Sequence, residues 1–329
     1  MNSEPKYLKN LQTRNGVGEV LKFSFGERLF AYKFFTDHGH KRTSHINTCE
    51  RCIYFRNEYY KCLLLSDIKN VINIVKPISS ERLDIANYRS IYPGLVFPFF
   101  NYSFDKIYKS DTFMFSNDLK FRILFKNLLK TLGAIHRHGI IHSDIKPLNI
   151  LFNNFCDVET KFVIIDFGNS IFKKEMIVKK DEPLTTSGYI TPEMILKKEF
   201  DETIDVYALA ITMINIYTHK PVFKGFEKRT KKTKRIELHE RMNYEKIINN
   251  LEIEDQLLVD LLINMLKYER KKRFTVKQCL QHRFFKKRKS PKKKNVMRTL
   301  PPLFPNKKTG KKRKRNEEQA PSKKQKTTL

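Results

Sequence analysis

Residues 140–151 read IIHSDIKPLNIL. Two apolar pairs, Ile140 with Ile141 and Ile150 with Leu151, flank an Asp, a Lys and an Asn at positions 144, 146 and 149. The flanks mark a buried segment. A carboxylate, an ammonium and a carboxamide are costly to bury unless each finds a partner, so the rest of the chain must supply what these three need.

The neighbouring segments place the motif. Ahead of it, NDLKFRILFKNLLKTLGAIHRHG (117–139) carries Leu119, Ile123, Leu124, Leu128, Leu132 and Ile135 at helical spacing and ends on Gly139 as a C-terminal stop. Behind it, KFVIIDFGNSIF (161–172) reads as an apolar strand that ends in Asp166, Phe167 and Gly168. Asp144 and Asp166 thus stand at the mouths of short buried strands, 22 residues apart in sequence, with Lys146 and Asn149 between them. Such a group suits phosphoryl transfer. That chemistry needs a carboxylate to accept the proton of an attacking hydroxyl, a second carboxylate and a carboxamide to hold magnesium, and cations against the charge on the moving phosphoryl.

HSDIKPLN (142–149), DFG (166–168) and TPE (191–193) occur in that order and resemble the HRDxxxxN, DFG and APE motifs of the eukaryotic protein kinases. The resemblance runs from about Thr13 to Phe285. It implies an α+β, bilobal kinase fold: a small β-rich N-lobe (about 13–97) and a larger helical C-lobe (about 101–285), with residues 1–12 as an N-terminal extension. It implies Asp144 as catalytic base, Lys146 as a contact to the transferring phosphate, Asn149 and Asp166 as magnesium ligands, ATP as phosphoryl donor and proteins as substrates. By the same resemblance, TTSGYITPE (185–193) forms a substrate platform with Thr191 in place of the usual Ala, Asp205 braces the catalytic loop backbone, and Arg273 partners Glu193. Lys146, together with Thr186 ahead of Tyr189, implies serine/threonine specificity. Ser143 stands where most of the family carry an Arg that reads a phosphate on the activation segment, so the bidentate guanidinium clamp is missing. That implies a kinase either constitutively active or ordered by an activating subunit.

The front of the chain alternates apolar and polar residues around a glycine in VLKFSFGERLFAYKFF (20–35), a strand, a turn and a second strand. The resemblance puts Ala31 at the adenine and Lys33 on the ATP phosphates, with Glu58 as the ion-pair partner of Lys33 and Glu50 as its competitor. The glycine-rich loop is degenerate. In TRNGVGEV (13–20) Gly18 and Val20 fit the GxGxxGxV pattern while Thr13 and Asn15 replace its first two glycines. Asn15 tolerates a left-handed backbone and Gly16 adds local freedom, so a phosphate cover of backbone N–H groups is still expected. Phe97 to Phe100 form the expected hinge.

Lys and Arg total 65 against 35 Asp and Glu, a net charge of +30. Residues 286–329 hold 18 basic and 2 acidic side chains, so more than half of that charge sits on a short, apolar-poor end expected to be a disordered basic tail. Its clusters, Lys311 to Arg315 and then Lys323, Lys324 and Lys326, are spaced to meet a nuclear import receptor and to touch nucleic acid nonspecifically. Lys173, Lys174, Lys179 and Lys180, with the insert FEKRTKKTKR (226–235), predict acidic or already phosphorylated substrates. No apolar run approaches the roughly 20 residues that cross a bilayer, so a soluble intracellular protein without a membrane partner is expected. Five scattered Cys fit a reducing compartment, and Cys49, Cys52 and His45 are too few for a convincing zinc site. The nearer subfamily is divided. The hinge and tail resemble the cell division cycle kinase that fires replication origins, and HSD with DFGNS resembles the dual-specificity and splicing-factor groups equally. A pseudokinase scaffold with a nucleic-acid-tethering tail is the alternative to an active nuclear kinase.

Overall fold

The computed structural model describes residues 6–11, 19–34, 50–78, 83–85, 88–90, 94–108, 118–175, 187–219, 243–251 and 253–286. The chain divides into a compact unit, Met1–Lys286, and a second unit, Lys287–Leu329. The second unit lies outside the described residues.

The first half is built on a five-stranded sheet: β1 (Lys6–Leu11), β2 (Glu19–Phe25), β3 (Arg28–Phe34), β4 (Lys76–Ile78) and, after the hairpin of β5 (Leu83–Ile85) with β6 (Tyr88–Ser90), β7 (Gly94–Pro98). Its order is β1-β2-β3-β7-β4, and all of its pairings are antiparallel. The hairpin of β2 and β3 turns at Gly26, whose φ of 59° is left-handed and suits a residue without Cβ. Alternation sends Leu21, Phe23, Tyr32 and Phe34 into a small core closed by Val96. The same period decides the other face. Val20 pairs with Lys33 and Ala31 with Phe97, so these four residues line one side of the sheet.

One boundary differs from the sequence reading. Lys6–Leu11 is not an extension outside the lobe but its edge strand, paired with β2 from Lys6 opposite Ser24 to Leu11 opposite Val20, with an irregularity between Tyr7 and Lys9. The strand is exposed along Lys6 to Lys9. An edge strand with both faces half in water needs no apolar alternation, which is why KYLKNL carried no strand signal.

Helix α1 (Glu50–Leu64) precedes β4. The chain then passes through β8 (Tyr102–Ser103) and α2 (Phe104–Tyr108) into α3 (Asp118–Arg137), the helix read from LKFRILFKNLLKTLGAIHR, which stops just before Gly139 at φ 73°. Short strands β9 (Ile140–Ile141), β10 (Ile150–Phe152), β11 (Phe162–Ile164) and β12 (Ile171–Phe172) follow, pairing as β8-β10-β11 and β9-β12. Helices α4 (Pro192–Ile195), α5 (Thr203–Thr218), α6 (Tyr244–Asn249), α7 (Gln256–Met265) and α8 (Val276–Gln281) complete the unit. Helix α5 is buried on all sides from Thr203 to Ile216, which makes it the central post. It shares one large core with Leu124, Phe125, Leu128 and Leu132 of α3, Ile150 and Phe152 of β10, and Leu258, Leu261 and Leu262 of α7. The architecture is therefore strand-rich in front and helical behind, and no described helix is long and apolar enough to cross a membrane.

Candidate active site

The loop after β9 answers the question posed by its sequence. Asp205, in the first turn of α5 and fully buried, accepts the backbone N–H of His142 and of Ser143 at 2.8 Å each and meets His136 Nε2 at 2.9 Å. These bonds hold Ser143 at φ 62°, a left-handed conformation that is strained for a residue with a Cβ. The His142 ring then bridges the two strand mouths. Its Nδ1 accepts the Asp144 N–H at 3.2 Å, its Nε2 lies 3.0 Å from the Ile165 carbonyl, and its face packs on Phe167 with ring centroids 4.8 Å apart. With the backbone fixed, the three buried polar groups satisfy one another. Lys146 Nζ donates to Asp144 Oδ2 at 2.6 Å, and Asn149 Nδ2 donates to the Asp144 carbonyl at 2.8 Å and to Oδ2 at 3.0 Å.

The second carboxylate is held from the other lobe. Asp166 also adopts a left-handed backbone, φ 71°, and its Oδ1 lies 2.7 Å from Lys33 Nζ. The same ammonium is 2.6 Å from Glu58 Oε2 on α1. Glu58 is the partner that Lys33 takes; Glu50 opens the helix two turns earlier. Burial alone would lower the Lys33 pKa, but the charges of Asp166 and Glu58 outweigh it and hold the ammonium above its usual range. Burial pushes the Glu58 carboxyl up to about 7, with Lys33 pulling it back. At Asp166 burial is again opposed, by Lys33 first and then by Lys146 and His142, and the carboxyl stays below its usual value. A carboxylate held ionised beside two lysines is a ready ligand for a hard cation.

Val20, Ala31 and Lys33 share a sheet face that leads to this group. Asn15, Gly16 and Gly18 lie outside the described residues, as do Cys49 and most of the lysine-rich segments. The expected hinge leaves β7 at Pro98; Phe99 N–H donates to the Leu29 carbonyl at 3.2 Å, and Asn101 N–H is bound by Asn153 Oδ1 at 2.9 Å. Arg273 and Glu193 form a buried bidentate pair at 2.5 and 3.0 Å, and the Arg273 guanidinium lies over the Tyr207 ring. Sequence reasoning did not single out His136, Asn57 or Lys61. Lys61 carried no signal in the sequence; its burial, with that of Glu58 one turn earlier and of Cys62, is seen only in the structure.

The donor set suits magnesium bound with a nucleotide. Asn149 spends its nitrogen on Asp144, which leaves the amide oxygen as its remaining polar atom, and Asp166 offers a partly exposed carboxylate. Magnesium is characteristically held by one or two such oxygens plus substrate phosphates. Among the described residues there is no group of three or more His, Cys, Asp and Glu that would favour a different metal.

Comparison with known proteins agrees with this geometry. The protein kinase domain family matches residues 16–285, more than half of the chain, and the chain belongs to that family. It is similar to mitogen-activated protein kinase 12 of Homo sapiens, 27% identical over 260 residues that cover 71% of this chain and 67% of that protein. It is 30% identical over 179 residues to mitogen-activated protein kinase 13 of Bos taurus, covering 53% and 44%. It is also 36% identical over 100 residues to the serine/threonine-protein kinase pakF of Dictyostelium discoideum, 30% of this chain and 8% of that one. The match spans about half the length of most of these mitogen-activated relatives.

Proposed function

We propose that the chain is a serine/threonine protein kinase that transfers the γ-phosphoryl of ATP to Ser or Thr hydroxyls of proteins. One observation carries the reading: a single buried network joins Asp144, Lys146 and Asn149, the His142 ring links its backbone to the residue before Asp166, and Lys33 holds Asp166 to Glu58. In this reading Asp144 orients the substrate hydroxyl and accepts its proton. Lys146, already on Asp144 Oδ2, neutralises charge on the transferring phosphoryl, and Lys33 grips the phosphates of ATP. Asn149 and Asp166 hold Mg2+, which when bound screens the phosphate oxygens. Asn15, Gly16, Gly18, Val20 and Ala31 cover the nucleotide.

The scaffold alternative rests on Thr13 and Asn15 at glycine positions. It gives no physical reason for buried Asp144, Lys146 and Asn149 to stay mutually paired beside the part-buried pair of Lys33 and Asp166, since replacing buried charge by apolar side chains is often neutral or stabilising. The origin-firing and splicing-factor leanings gain no support from the relatives found. The similarity to pakF, a serine/threonine-protein kinase, favours serine/threonine transfer here. Incubation of the purified chain with ATP, Mg2+ and a Ser/Thr peptide library tests the reading, and transfer unaffected by Asp166→Asn would overturn the site. The same library tests the substrate class: the lysines of the activation segment and insert favour acidic or phosphorylated peptides, whereas a preference for basic ones counts against this.

Residues 307–326 are proposed to carry the kinase into the nucleus through an import receptor, with nonspecific nucleic-acid contact by the same cations. A fluorescent cargo bearing residues 307–329 should accumulate in nuclei and should lose this on neutralisation of Lys311 to Arg315; an evenly spread fusion counts against targeting.

A further inference from the structure

Lys61 is fully buried on α1, in a position where a Leu or Met would fill the space without a charge. Its ammonium donates to the backbone carbonyl of Ser170 and lies 5.0 Å from the centre of the Phe172 ring. It does not act alone. Asn57, one turn earlier on α1, donates to the Gly168 carbonyl at 3.2 Å, and Ser143 Oγ donates to the Asn169 carbonyl at 2.7 Å. Three successive carbonyls after Asp166 are thus each bound by a side chain, two from the helix that carries Glu58 and one from the loop that carries Asp144. The approach is close: a Cβ added at Gly168 would lie 3.3 Å from the Tyr54 ring of α1.

This arrangement couples two things that phosphoryl transfer needs. If α1 moves away, Glu58 leaves Lys33 and Lys61 leaves Ser170 in the same motion. Ser143, where the resemblance to the kinase family implies an Arg that would bind a phosphate on the activation segment, instead binds the Asn169 carbonyl. A buried ammonium is hard to justify for stability, because apolar replacements at such sites are often neutral or stabilising. We infer that Lys61 is a positioning residue: with Asn57 and Ser143 it ties the segment of Asp166 to Ser170 to α1 and the catalytic loop, and so makes transfer independent of a phosphate on the activation segment. The inference rests on the kinase reading above.

The test compares wild type, Lys61→Met, Lys61→Arg and Asn57→Ala on one Ser/Thr peptide, with kcat, peptide KM and Tm measured for each, before and after phosphatase treatment. Wild type should keep kcat within twofold after dephosphorylation. Lys61→Met should lose ~10-fold to ~100-fold in kcat, the scale of a small misplacement of reacting groups, with peptide KM unchanged and Tm lowered by no more than the loss of one hydrogen bond explains. Lys61→Arg should recover part of the loss. Asn57→Ala should lose severalfold in kcat with Tm lowered by no more than the loss of one hydrogen bond explains, and it decides the question if Lys61→Met does not fold. A kcat within twofold of wild type for Asn57→Ala and for any folded Lys61→Met overturns the tie, as does a wild type silenced by phosphatase. A wild type that transfers no phosphoryl at all overturns the kinase reading, and the tie falls with it.

Discussion

The two carboxylates of the site are held in opposite ways. Asp144 finds two side-chain partners, Lys146 and Asn149, within five residues of itself, on one loop clamped by Asp205. Asp166 finds Lys33 from 133 residues away, on a strand of the other lobe, and that lysine is shared with Glu58 of α1. The first group is fixed once its loop is folded. The second exists only while α1, the sheet and the strand mouth at Asp166 are all in register, so it is the part of the site that a regulator, a mutation or a proton can open.

The contrast is broken most severely by removing the proposed base. Asp144→Asn should lower kcat by about a hundredfold to ten-thousandfold, and because it leaves the buried Lys146 ammonium without this counter-charge it should lower Tm as well; a kcat near wild type in the folded variant would remove Asp144 from its role. The next effect belongs to the helical half. Arg273→Met strips a buried, doubly bonded carboxylate of its partner and should cost about 3 to 5 kcal/mol in denaturant unfolding. A loss below 1 kcal/mol would mean that Glu193 finds water or another donor.

Glu58→Gln probes the long-range group and should cost ~10-fold in kcat/KM for ATP while leaving the Asp144 loop intact. It also carries a pH signature. The folded Glu58 carboxyl titrates near 7 against a reference of 4.5, so between those values the folded state binds more protons than the unfolded one. Its contribution to stability therefore rises as pH falls through that window. Asp166, lowered rather than raised, acts below the window, where its stabilisation is lost as pH falls through its folded pKa. Unfolding curves from pH 7 to 5 should lose the Glu58 slope in Glu58→Gln; an identical slope would place the titration elsewhere. The smallest effect is Ser143→Ala. Loss of the bond to the Asn169 carbonyl should cost about 1 kcal/mol, measured by chemical denaturation, and a change of stability beyond twice that would mean that Ser143 does more than hold one carbonyl.

Much of the fold was legible because its signals are local. The β2–β3 hairpin follows from alternation about Gly26, and α3 from apolar spacing up to Gly139. The edge strand β1 was not legible, since exposure on both sides erases the alternation that marks a strand. In the site, Asp144, Lys146 and Asn149 could be grouped because their separations in sequence are short. Asp166 could be added because an apolar strand delivers it. Lys61 could not be read, because a lysine on a helix is ordinarily a solvated charge and nothing nearby names the carbonyl of Ser170 as its partner.

The sequence by itself determined the order and chemistry of the groups: two strand-mouth carboxylates with an ammonium and a carboxamide between them, a strand lysine, and candidate glutamates on the following helix. The tertiary structure alone decided that Glu58 meets Lys33, that Asp205 and His136 fix the loop, and that α1 grips the carbonyls of Gly168 and Ser170. Each of those choices depends on how a helix is rotated and docked against distant strands. That rotation is set by the burial of many side chains at once, and no short stretch of sequence contains it.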